Sequence, residues 1–221
     1  MIAARAGRFI TLEGGEGAGK STQLRRLAAR LRGCGLAVVE TREPGGSPRA
    51  EALREVILSG KAKTLGPGGE ALLFAAARMD HLDARIRPAL ARGEWVLSDR
   101  FSDSTRAYQG GLGALPGDLL DALERVTLDG TRPDLTLILD LPAELGMARA
   151  DARRGGGQAD RFESEGLDSH RKLRAAFLDI AYADPARCVV IDASASPEMV
   201  EAAIWAAAHA RFADELTRGA A

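Results

Sequence analysis

Four glycines punctuate residues 14–19, a stretch that reads Gly14-Gly15-Glu16-Gly17-Ala18-Gly19 and runs directly into Lys20-Ser21-Thr22. Glycines at this density let the backbone curl until successive N–H groups point inward at an anion. A lysine in the next position can reach the outer phosphates of a bound triphosphate, and a serine hydroxyl after it can hold Mg²⁺. The flanks fit the same chemistry. Phe9, Ile10 and Leu12 form an apolar, strand-forming run before the glycines, and Leu24, Leu27, Ala28 and Leu31 recur at helical spacing after them. The helix would bring its unpaired N-terminal N–H groups and positive dipole end to the same phosphates. These residues establish a nucleoside triphosphate site; they do not say what receives the phosphoryl group.

Other residues suggest the acceptor. Asp99 closes an apolar run over residues 94–99, where an acid can hold Mg²⁺ through water or orient the attacking group. Arg100, Ser104 and Tyr108 follow at i, i+4, i+8 and share one helix face. A charge with hydroxyls on one face suits the phosphate, sugar and base of a nucleoside monophosphate. Phe74 and Arg78 are four apart, an aromatic ring for stacking and an arginine for a base oxygen. Arg42, in the loop Thr41-Arg42-Glu43-Pro44-Gly45-Gly46, offers a bidentate fork for phosphate.

These side chains need a frame to hold them together. Apolar strand-like runs fall at residues 9–12, 36–39, 94–99, 135–141 and 187–192, with helical patterns between them. Residues 135–141, Leu-Thr-Leu-Ile-Leu-Asp-Leu, suit a central parallel strand buried on both faces. Helices are expected at 20–33, from Ser47 or Pro48 to about Leu58, at 70–90 with Leu72, Ala76, Met79, Ile86 and Leu90 on one face, at 116–128, at 142–152, at 163–183 and at 197–216. Pro88 should bend or end the third of these. Strands alternating with helices predict an α/β fold of three layers, doubly wound, with a five-stranded parallel sheet and right-handed crossovers. Ligands in such sheets sit at the carboxyl ends of the strands, where all the marked loops converge. The whole chain, residues 1–221, reads as one domain. Residues 153–161, Arg-Arg-Gly-Gly-Gly-Gln-Ala-Asp-Arg, lack apolar anchors and read as a mobile lid, at about 153–163.

Composition narrows the class. A net charge of −1 gives no global field for nucleic acid. Two isolated cysteines, Cys34 and Cys188, suggest reduced thiols, no apolar run approaches the roughly 20 residues that span a bilayer, and a cytoplasmic location is expected. A guanine-reading Asn-Lys-x-Asp motif is impossible, because the chain has no asparagine. That sets aside a GTP-dependent switch, and a phosphate-clamping Arg42 argues against a plain nucleoside as acceptor.

Taken in order, the glycine loop, the Arg42 loop, Phe74-Ala75-Ala76-Ala77-Arg78, Asp99-Arg100-Phe101 and Ser104-Thr105-Arg106-Ala107-Tyr108-Gln109-Gly110 resemble the thymidylate kinase family over nearly the whole chain. The resemblance implies a P-loop nucleoside monophosphate kinase fold and transfer of a phosphoryl group from ATP, with Mg²⁺, to dTMP. It implies that Gly14, Gly15, Glu16, Gly17, Ala18, Gly19, Lys20, Ser21 and Thr22 bind ATP and that Ser21 and Asp99 serve the metal. Arg149, with the loop at 192–197, would cover adenine. Arg42 and Arg100 would hold the dTMP phosphate. Phe74 would stack on thymine, with Arg78 and Gln109 reading its edge and Ser104 and Thr105 lining it. Glu16 would sit near the 3′-hydroxyl, and Tyr108 would lie against the deoxyribose. Lys20, Arg100, Asp99, Glu16 and Arg153 would be catalytic, Arg153 as the transition-state arginine with Arg154 and Arg161 as alternates. A homodimer is implied as well. His81, His170 and His209 match none of these roles and are expected to be structural or surface residues.

Overall fold

The computed structural model describes residues 7–155 and 161–217. Its strands are β1 (Phe9–Glu13), β2 (Val38–Arg42), β3 (Trp95–Asp99), β4 (Leu135–Asp140) and β5 (Cys188–Asp192). They form a sheet in the order β2-β3-β1-β4-β5, with every pairing parallel. The first crossovers run to one side of β1 and the later ones to the other, so the switch in winding lies at β1. The crevice outside the carboxyl ends there is where such sheets take ligands, and the glycine loop leaves β1 at that point. Register sets the rim: Asp99 is level with Leu12 on one side and with Arg42 on the other.

Alternation along β1 sorts its side chains. Ile10 and Leu12 enter a core with Leu24, Leu27 and Leu31 of α1 (Lys20–Gly33) and with Val200, Ile204 and Phe212 of α9 (Pro197–Thr217). Phe9 faces the opposite layer and packs with Leu82, Ile86, Val96 and Phe101. Thr11 and Glu13 share that second face and are fully buried. That layer also contains α8 (Leu167–Ala183), whose Leu173 and Phe177 pack on Ile138 of β4.

Between the strands lie α2 (Pro48–Leu58), α3 (Gly66–His81), α4 (Arg87–Ala91), α5 (Ser102–Thr105), α6 (Gly117–Leu128) and α7 (Ala143–Arg154). Four local expectations are corrected. The region read as one helix over 70–90 is interrupted by a π-helical segment, Leu82–Ile86, and Pro88 opens α4. Leu72 and Met79 are exposed rather than buried, as is Ala76; α3 instead turns in Ala71, Ala75, Ala77 and the polar Glu70, Arg78 and His81. The wider turn shifts the helical phase, so no single face continues from Leu72 to Leu90. The polar helix after Arg100 is α-helical only to Thr105 and then π-helical over Arg106–Leu112. Helix α7 runs on to Arg154, and α8 begins at Leu167, four residues after the expected start. Arg153 and Arg154 therefore belong to a helix rather than to the lid, of which residues 156–160 lie outside the described residues.

Candidate active site

The glycine loop takes its shape from two close approaches. Gly17 has φ 69°, and a Cβ there would sit 2.1 Å from the carbonyl oxygen of Gly146 in α7. Gly14 has φ 134°, and its Cβ would meet the Leu139 carbonyl oxygen at 2.5 Å. Neither position tolerates a side chain. Lys20 opens α1 and folds back, its Nζ donating to the carbonyl oxygens of Gly14 (3.0 Å) and Gly15 (2.7 Å). Burial, reinforced by the Arg100 charge, lowers its pKa from the ordinary lysine value. Ser21 donates to Asp99 Oδ2 across the β1–β3 rim. A hydroxyl and a carboxylate brought together at a phosphate loop are oxygen donors that would suit a small hard cation.

Next to the loop is a cavity of about 360 Å³. Lys20, Ser21, Asp99, Arg100 and Arg42 line one part of it, and Phe74, Arg78, Ser104, Thr105, Tyr108 and Gln109 line another. Of the residues expected at the acceptor, every one borders this space. Arg149 does not: its guanidinium donates to the carbonyl oxygen of Ala193 (2.9 Å), tying α7 to the loop after β5.

Arg100 and Glu16 sit at the middle. Arg100 Nη2 donates to Glu16 Oε1, Nη1 donates to the Gly14 carbonyl oxygen at 3.1 Å, and the guanidinium lies 5.3 Å from the Tyr108 ring centroid. Tyr108 Oη donates to the same Glu16 oxygen at 3.0 Å. Burial would push the Glu16 carboxyl upward, but Arg100, Lys20 and the Tyr108 hydroxyl outweigh it and hold it at about 2. Arg42 proves to be the last residue of β2 rather than a loop residue, and its Nη2 is 3.1 Å from both Glu51 carboxylate oxygens.

Arg78 is buried in a polar frame. Its Nε donates to Glu43 Oε2 at 2.7 Å, and its Nη2 donates to the Phe101 carbonyl oxygen (3.1 Å) and Thr105 Oγ1 (3.0 Å). Glu43 is held in turn by His81 Nδ1 at 3.0 Å, and His81 Nε2 meets Thr41 Oγ1 at 2.6 Å. His81 is thus structural, as expected. Gln109 is buried, and its Oε1 has no hydrogen-bond partner among the described residues; a buried amide oxygen so placed calls for a donor. Of the three arginines flanking the lid, Arg153 alone borders the cavity. Its Nη2 donates to Glu163 Oε1 at 2.8 Å, while Arg154 bonds Asp151 and Arg161 pairs with Glu70 at 2.9 Å.

Sequence reading missed four contributors. Phe162 stands 6.1 Å from Phe74 and 5.2 Å from Tyr108, centroid to centroid, and closes an aromatic wall; an aromatic residue at the end of an otherwise core-less stretch was the available signal. Arg54 borders the cavity from α2 and donates to the Pro44 carbonyl oxygen at 2.6 Å, with no pattern to single it out. Glu43 was visible only as part of a loop. Glu13, a carboxylate closing an apolar strand, was a signal passed over; burial and then the Asp103 charge push it up to about 8.

Known proteins resemble the chain throughout. The thymidylate kinase family model matches residues 12–204. A thymidylate kinase of Rhodopseudomonas palustris (strain ATCC BAA-98 / CGA009) is 60% identical over 215 residues, covering 97% of this chain and 94% of that protein. One from Nitrobacter winogradskyi is 60% identical over 206 residues, covering 93% and 89%. The crystal structure of the thymidylate kinase from Ehrlichia chaffeensis superposes with a TM-score of 0.72 at 32% identity, over 91% of this chain and 98% of that one.

Proposed function

The chain belongs to the thymidylate kinase family, and on that premise we propose how its own residues share the transfer of a phosphoryl group from ATP to dTMP, which yields dTDP for dTTP synthesis. The observation that carries the reading is one cavity lined both by phosphate-loop residues and by Phe74, Tyr108, Phe162 and Gln109. The acceptor is already a phosphate anion, so the protein supplies alignment and charge neutralisation and needs no covalent intermediate.

The loop amides and Lys20 hold the ATP phosphates, and Thr22 extends that site along α1. Ser21 and Asp99 would hold Mg²⁺, which would offset the charge of the phosphates. Arg100 and Arg42 grip the dTMP phosphate, Arg42 exchanging its Glu51 partner for the ligand. Thymine lies against Phe74, with Arg78 and Gln109 at its edge and Ser104 and Thr105 beside it. The unpartnered Gln109 Oε1 finds there a ring N–H donor. Tyr108 packs against the deoxyribose where a 2′-hydroxyl would collide, and Glu16 lies near the 3′-hydroxyl. Arg153 is the transition-state arginine, released from Glu163 once both nucleotides are bound. Arg149 and the loop after β5 cover adenine.

The chain forms one kinase domain, and the lid expected at about 153–163 includes residues 156–160, which lie outside the described residues. Cys34 and Cys188 are unpaired, in keeping with a reducing compartment, and we place the enzyme in the cytoplasm. It acts as a homodimer through the outer faces of α3 and α6, where Leu72, Met79, Leu119 and Val126 are exposed.

A coupled assay across nucleoside monophosphates tests the substrate. dTMP is the preferred acceptor, and dUMP, lacking one methyl contact, is about 10–200-fold poorer in kcat/KM. Preference for AMP, GMP or an unphosphorylated nucleoside would overturn the assignment.

A further inference from the structure

Arg100 has φ 69°, one of three positive values at non-glycine positions among the described residues. An L residue stays in that region only when its surroundings hold it there. Three hydrogen bonds do so. The Arg100 N–H donates to the Leu12 carbonyl oxygen at 3.0 Å. Ser98 Oγ donates to the Arg100 carbonyl oxygen at 2.8 Å. The following N–H, of Phe101, donates to Glu13 Oε1 at 2.7 Å.

Glu13 has a second grip. Its Oε2 accepts from Ser104 Oγ at 2.6 Å, and Ser104 Oγ accepts from Arg100 Nη1 at 3.2 Å. One carboxyl group therefore holds the peptide after Arg100 and the hydroxyl on which its guanidinium rests. Glu13 is fully buried and does not border the cavity. Burying a carboxyl at the end of an apolar strand is costly without such partners, and packing alone would be served by another apolar residue. Strand geometry makes the contact: β1 and β3 are neighbours, and Glu13 lies on the face that turns toward Phe101.

We propose that Glu13 is a positioning residue for the acceptor phosphate, holding Arg100 in the left-handed conformation that delivers its guanidinium to the cavity. The proposal rests on the reading of Arg100 as a clamp on the dTMP phosphate.

Calorimetry with dTMP and with ATP, on the full-length enzyme, separates the two. Arg100→Ala weakens dTMP by roughly 30-fold or more, which establishes the clamp. Glu13→Ala weakens dTMP by about tenfold while ATP affinity stays within about twofold. Glu13→Gln keeps an acceptor for the Phe101 N–H and offers Ser104 an amide donor, so it restores dTMP affinity to within about threefold of the parent. A carboxyl that merely supports the fold predicts fewer competent molecules, with the affinities of those that remain unchanged. Should Glu13→Ala not fold, Glu13→Asp, which keeps the carboxyl group but shortens the reach, shows the same selective loss of dTMP. Normal dTMP affinity in the Glu13 variants beside a defective Arg100→Ala overturns the positioning role alone. Normal dTMP affinity in Arg100→Ala overturns the clamp, and the positioning role with it.

Discussion

At the scale of single residues, charge and burial at the loop decide which contacts matter to which substrate. Lys20 bonds the carbonyl oxygens of the loop that we assign to the triphosphate. Lys20→Ala should cripple turnover and leave dTMP affinity by calorimetry nearly intact; a loss of dTMP affinity to match the loss of rate would place the lysine in the other site. Arg42 is 55% exposed in its side chain, so solvent already screens its charge. Loss of a charged partner costs about 2–5 kcal/mol, and the exposed geometry points to the lower end. Arg42→Ala should raise KM for dTMP roughly 30-fold, with ATP little affected; an unchanged KM rejects the clamp. Glu16 carries a pH signature. Its carboxyl titrates at about 2 in the folded protein, against about 4.3 in the unfolded chain. The folded pKa is depressed, so its stabilisation is fully present above the unfolded value and is lost as pH falls from about 4.3 toward 2. Urea midpoints measured over that window should fall less steeply in Glu16→Gln than in the parent. Parallel curves would show that the Arg100–Glu16 pair contributes no such linkage.

At the scale of elements, the readable features were those with a strong local pattern. The glycine loop, the five strands and their parallel pairing follow from apolar runs and turn residues, and the structure contains all five strands in one parallel sheet. Helix α3 differs from its sequence pattern because its inward face is made of alanines and of the polar Glu70, Arg78 and His81, while Leu72 and Met79 point outward. No periodicity of hydrophobicity reports an arginine buried because a glutamate and a backbone carbonyl await it. Spacing could not show Glu43 and His81 behind Arg78, since those contacts join residues 35 and 38 positions apart. The end of α7 was read short because the arginines there resemble the polar stretch that follows. Their helical placement sharpens one expectation. Arg153 lies in the last turn of α7, borders the cavity and, among the described residues, is paired with Glu163 through a largely exposed side chain. A transition-state arginine is worth about 10³–10⁵ in rate, and the loop positions Gly15, Glu16, Gly17 and Ala18 supply none. Arg153→Ala should lower kcat at least ~100-fold with KM for dTMP little changed. Arg154→Ala and Arg161→Ala, neither of which borders the cavity itself, should do much less. Equal and small effects of all three, each within about threefold and so under ~0.7 kcal/mol of barrier, would show that the arginines flanking the lid take no part in the chemistry.

At the scale of the whole molecule, the cavity wall and the proposed dimer share a helix. Helix α3 presents Phe74 and Arg78 to the cavity and Leu72 and Met79 to the outside. Leu72 and Met79 are seven apart, as are Leu119 and Val126 on α6, which packs beside α3, so each pair lies on one stripe of its helix. Val126 is 70% exposed and Leu72 59%. Apolar side chains gathered on adjacent helices mark a surface that another protein covers, and the same stripe on a second copy gives a self-complementary two-fold contact. The acceptor pocket would then be braced from behind by the partner subunit. Replacing Leu72 and Met79 together by glutamate puts four charges into that contact and leaves the buried face of α3 untouched. Sedimentation equilibrium should give twice the chain mass for the parent and the single-chain mass for the double variant. Because Phe74 and Arg78 lie on the braced helix, the monomer should also bind dTMP more weakly than ATP relative to the parent. A parent that sediments as a monomer at micromolar concentration removes the dimer. A dissociated variant with normal dTMP affinity keeps the dimer and removes the bracing.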